Sequence, residues 1–135
     1  MIKHMKTRQV NQNTYVIYWN KAEEFYETMQ QAYKQRMWTA VGLNAVHCAI
    51  SSCDALLVYS QGIRAAGENH MQAVDLLTKA PVEGIQKQVA AIRRIIAKKN
   101  VIAYENREFR QSDASDILKQ AERFYRWTFD YLNKK

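Results

Sequence analysis

Apolar residues return at every third or fourth position through most of this chain, a period that predicts helices. The first such stretch runs from about Asn13 to Arg36. Tyr15, Trp19, Ala22, Phe25/Tyr26, Met29 and Ala32/Tyr33 form one stripe there, with Glu and Gln between them. The second, from about Thr39 to Ser60, has apolar or small residues nearly all round: Val41, Ala45, Cys48, Ala49, Ser52, Ala55 and Leu56 on one side, Leu43, Val46, Ile50, Leu57 and Val58 on the other. Such a helix belongs at the centre of a bundle, covered on several faces. Gly62 and Gly67 then act as stop signals, and Asn69 is placed to cap a short third helix reaching about Lys79.

After Pro81 a fourth helix is expected from about Glu83 to Phe109, with Ile85, Val89, Ile92 and Ile95/Ile96 as its stripe. Ser112 and Ser115, with Asp113 and Asp116 near the positive end, mark the start of a fifth that continues to about Leu132. It would bury Ala114, Ile117/Leu118, Ala121, Phe124/Tyr125 and Thr128/Phe129. No strand alternation, repeat or low-complexity tract stands out. Long helices with short connections predict an all-α, up-down bundle of four to five helices, one domain spanning residues 1–135.

The fourth stripe is interrupted. The position after Ile95/Ile96 is Lys99, Asn100 sits beside it, and Tyr104 lies about a turn further on. Charge draws attention to the same stretch. The chain carries a formal +7, and between residues 83 and 110 Lys87, Arg93, Arg94, Lys98, Lys99, Arg107 and Arg110 exceed Glu83, Glu105 and Glu108 by four. A basic balance attracts anionic partners, nucleic acid among them, and also serves simply to keep a surface soluble.

Other totals narrow the classes. A chain of 135 residues can bury a core without a disulfide or metal. Cys48 and Cys53 would lie about 7.5 Å apart along one helix on divergent faces, which suits core cysteines rather than a disulfide or a zinc site. No run of about 18 apolar residues is present, so no transmembrane helix is expected. The basic start MIKHMKTRQV lacks the apolar segment of a signal peptide. The expectation is a cytoplasmic protein without membrane contact, cofactor or metal.

Chemistry has three candidate locations. Lys99, Asn100 and Tyr104 are the first, although a lysine snorkelling from the core edge beside a solvated amide and phenol is the plainer arrangement. His47 and Asp54 are the second: seven residues apart, they fall about 20° apart around one helix. An acid among apolar residues ordinarily has a cationic partner, and Lys99 and Arg64 are the two on offer. The third is GIRAAGENH, with Arg64 and His70, which lacks the spacing of a phosphate-cradling loop and reads as a connection. Phe124, Tyr125 and Trp127 fit core or dimer packing better than base stacking. The sequence has no His-Glu-x-x-His, no Walker loop and no serine or cysteine triad.

The blocks YWNKAEEFYETMQQAY, NAVHCAISSCDALLVYSQGIRAAGENH, KKNVIAYENREF and DASDILKQAERFYRW, in that order, resemble a HEPN domain (higher eukaryotes and prokaryotes nucleotide-binding) along nearly the whole chain. Active members carry arginine, a polar residue, three variable positions and histidine. Here the frame is Lys99, Asn100, then Val101, Ile102 and Ala103, then Tyr104. The resemblance implies a symmetric homodimer whose two motifs meet at a cleft, and RNA or nucleotide as the ligand. It also implies a toxin–antitoxin or defence-type setting, in which several members work beside a small nucleotidyltransferase.

Many members are metal-independent endoribonucleases. Lysine neutralises phosphate without the fork of arginine, and a phenol is a weak base at pH 7, so the departure from the family pattern implies reduced nuclease activity with binding retained. Two alternatives stand beside that expectation. One is an active metal-independent endoribonuclease using Lys99 and Tyr104; the other is a protein-interaction bundle without catalysis.

Overall fold

The computed structural model describes residues 7–67 and 69–134. Most of the basic start, residues 1–6, lies outside the described residues. The described residues form five α-helices: α1 (Tyr15–Lys34), α2 (Trp38–Gln61), α3 (Met71–Thr78), α4 (Ile85–Tyr104) and α5 (Gln111–Leu132). A 3-10 turn, Gln12–Thr14, precedes α1.

The three-residue link between α1 and α2 closes tightly because Arg36 adopts a left-handed φ of 59°. That turn lets the Met37 N–H donate to the Ala32 carbonyl at 2.9 Å. α2 is the central helix the apolar pattern predicts, packed by α1, α3, α4 and α5. Its length and mean hydropathy of 1.5 also meet the composition of a membrane span, contrary to the sequence expectation. In the fold 83% of that window is buried against the rest of the protein, so its apolar surface is spent on the core. Cys48 and Cys53 are free buried thiols, as their spacing suggested.

Two features depart from the helical pattern and position the site. The first is a ribbon: β1 (Thr7–Gln9) pairs antiparallel with β2 (Ile63–Ala65), setting Arg8 opposite Arg64. No strand was expected, since three residues are too few for an alternation to show. Gly62, at φ 64°, ends α2 and turns the chain into β2, and the Val10 N–H donates to its carbonyl at 2.8 Å. The ribbon thereby sends Arg64 back along the end of α2.

The second is the end of α4, which stops at Tyr104 rather than continuing to Phe109. Phe109 is instead a buried residue of the connection and packs against Gly42 of α2. A Cβ at Gly42 would lie 2.8 Å from the Ile102 side chain and 2.9 Å from the Phe109 ring, so only glycine admits both. α5 begins one residue before Ser112, and Asp113 supplies the cap: its Oδ2 accepts the Arg110 N–H at 2.9 Å. Asn69 does cap α3, its Oδ1 accepting the Met71 N–H at 2.9 Å.

Candidate anion-binding groove

On α4 the apolar stripe does not end at Lys99. It passes from Ile95 and Ile96 to buried Ile102, and Lys99 stands half-buried at its edge. From that edge Lys99 acts on two imidazoles. His47 of α2 is half-buried and stacks on Phe25 of α1, with ring centroids 5.2 Å apart. Its pKa is held below the ordinary 6.5, first by burial and then by the Lys99 charge. His70, half-buried just before α3, is lowered by burial, then Lys99, then His47. Three basic side chains from α2, α4 and the approach to α3 therefore share one local field.

Asp54, two turns along α2 from His47, finds its partner in Arg64 rather than Lys99: Nη2 to Oδ2 is 3.6 Å. That distance makes an ion pair with little hydrogen-bond character. Burial raises the Asp54 pKa above its ordinary 3.8, opposed by Arg64 and then Lys21. The Arg64 guanidinium also covers the Tyr18 ring at 4.7 Å, with the Lys21 ammonium 5.6 Å from the same ring. Arg64 Nε and Gln72 Oε1 are buried without a hydrogen-bond partner among the described residues.

The chain therefore brings the supporting residues into two adjoining clusters, Lys99 with His47 and His70, and Asp54 with Arg64. It does not bring Lys99 and Tyr104 together. Five residues of helix turn them about 140° apart, and Tyr104, the last residue of α4, is 78% exposed. Asn100 is exposed, its carbonyl accepting the Glu105 N–H at 3.3 Å as the helix ends. Phe124, Tyr125 and Trp127 are used in packing, with Tyr125 stacked between Trp19 at 4.9 Å and Tyr26 at 3.9 Å.

His70 carried no periodic signal and was legible only as part of a connection. Tyr18 and Lys21 also escaped, and Phe25 was read only as part of the core stripe, although the three-four spacing of these residues marks a second face of α1. Chemically the cluster offers cations, two imidazoles whose protonated forms are disfavoured, and aromatic neighbours. These are means to hold an anion and, for the imidazoles, to move a proton. Among the described residues no group of three or more His, Cys, Asp or Glu side chains could hold a metal ion. No family model matches the chain, and no curated protein matches it.

Proposed function

We propose that the protein is a HEPN-like RNA- or nucleotide-binding homodimer of a toxin–antitoxin or defence-type system, with a small nucleotidyltransferase as the partner to seek. The observation that carries this is that Lys99 of α4 exerts its charge on His47 of α2 and on His70 before α3, three groups from separate parts of the chain. A phosphate beside Lys99 gains a cation at once. It also favours protonation of both imidazoles, turning two neutral groups into further donors. Lys21 and Arg64, both placed over the Tyr18 ring, extend the positive edge. Tyr104 and Asn100 project from the protomer, available to the second copy or to the RNA.

Binding to a mixed-sequence RNA oligonucleotide, followed by fluorescence anisotropy across a salt series, tests the proposal. Affinity is expected to fall steeply with salt, and Lys99→Ala to weaken it about tenfold while reducing the salt slope by about one. Absence of salt-dependent binding favours the interaction bundle instead.

The two histidines favour one further reading, an active metal-independent endoribonuclease built on Lys99 with His47 and His70 rather than Tyr104. One imidazole, neutral, takes the 2′-hydroxyl proton as that oxygen attacks phosphorus; the P–O5′ bond breaks as the other imidazole, protonated beside the bound phosphate, gives its proton to the leaving 5′-oxygen. Lys99 neutralises the pentavalent phosphate, leaving a 2′,3′-cyclic phosphate. Incubation with RNA in chelator separates the readings. Cleavage lost in Lys99→Ala and His47→Gln but kept in Tyr104→Phe supports this enzyme; equal traces in every sample mark contamination and return the protein to binding alone.

A further inference from the structure

A cavity of about 490 Å³ opens between α4, the connection after it and α5, away from the histidines. Arg94, Lys98 and Val101 of α4 line it, and they share a face roughly 140° round that helix from Lys99. Its volume lies in the range of small-molecule sites. Phe109 and Ile117, both buried, form an apolar floor. Asp116 and Gln120, one turn apart on α5, also line the cavity.

The cations are not equivalent. Arg107 is engaged by Asp113, Nη2 to Oδ1 at 3.2 Å. Arg94 and Lys98, also one turn apart, form no ion pair among the described residues. With Asp113 matched by Arg107, the remaining lining charges are Arg94 and Lys98 against Asp116, an excess of one positive charge. A singly charged anion balances that excess; a dianionic phosphate ester would overshoot it beside Asp116.

We infer that this cavity binds a small monocarboxylate with an apolar body, its carboxylate between Arg94 and Lys98 and its body on Phe109 and Ile117. The site is separate from the RNA-binding proposal and does not depend on it. The apolar floor contributes affinity, and the two cations distinguish an acid from its neutral analogue.

The test titrates the full chain with 3-phenylpropionate by calorimetry, beside 3-phenylpropan-1-ol and phenyl phosphate. Saturable binding of the carboxylate is expected, with the alcohol at least about tenfold weaker. Arg94→Ala and Lys98→Ala should each weaken carboxylate binding about tenfold, and Arg123→Ala, an exposed cation outside the cavity, should leave it unchanged. All three side chains are exposed, so circular dichroism should show the fold intact. No saturation, equal binding of the alcohol, tighter binding of phenyl phosphate, or indifference to Arg94 and Lys98 would each overturn the inference.

Discussion

α2 and α4 are neighbours of similar length that hold polar groups on opposite terms. α2 buries fourteen of its twenty-four residues, whereas α4 buries five of its twenty. On α2 a charged or imidazole side chain has almost nowhere to go, so each one present must have a matched neighbour. His47 has Phe25 and the Lys99 field; Asp54 has Arg64. On α4 water is the default neighbour, and a polar residue off the stripe costs little. A motif spaced along α4 therefore says little by itself. Lys99 gains significance because α2 presents His47 to it, while Tyr104 meets solvent.

The contrast is broken most easily through stability. Leu56→Ala, at a fully buried position of α2, should cost about 2–5 kcal/mol, whereas Tyr104→Ala on α4 should stay within about 0.5 kcal/mol. Urea denaturation of both variants checks this, and comparable losses would erase the distinction between the helices. Next in size is Asp54→Ala, which strips the partner from Arg64; that guanidinium is still partly solvated and burial disfavours the Asp54 charge, so the expected cost is about 1 kcal/mol. A neutral result would mean that the acid on α2 is dispensable after all.

A smaller effect concerns pH. His47 and His70 have folded pKa values below 6.5, so the unfolded chain binds protons that the folded chain refuses. Their contribution is fully present above about pH 6.5 and is lost as pH falls through the folded values. The urea midpoint should drop between pH 7.5 and 5.5, and drop less in Lys99→Gln, where one cause of the depression is gone. RNA binding should move the other way and tighten over the same interval, because phosphate favours the protonated imidazoles. Parallel trends in stability and binding would contradict the groove.

Much of the bundle was legible because local and tertiary demands agree. The all-round apolar run from Val41 to Val58 predicts a helix covered on several faces, and it is one. The end of α4 was not legible, since Phe109 continues the period and yet packs on Gly42, a contact made across the fold. The β1–β2 ribbon is too short to carry a period, and it decides the partner of Asp54. The need for a cation beside a buried acid was readable from ISSCDALLVY, but the choice of Arg64 over Lys99 depended on pairing between residues 7–9 and 63–65. His47 was legible from its seven-residue spacing to Asp54 along the apolar helix. His70 was visible only as a member of its loop, because a connection has no period to place it beside Lys99.

Lys99, His47 and His70 are expected to titrate as one electrostatic unit. The most direct test is to follow the imidazole proton resonances of His47 and His70 by NMR through a pH titration, in the wild-type chain and in Lys99→Gln. Both midpoints should lie below 6.5 in the wild type and both should rise when the lysine charge is removed. Titration curves unmoved by that substitution would contradict the account.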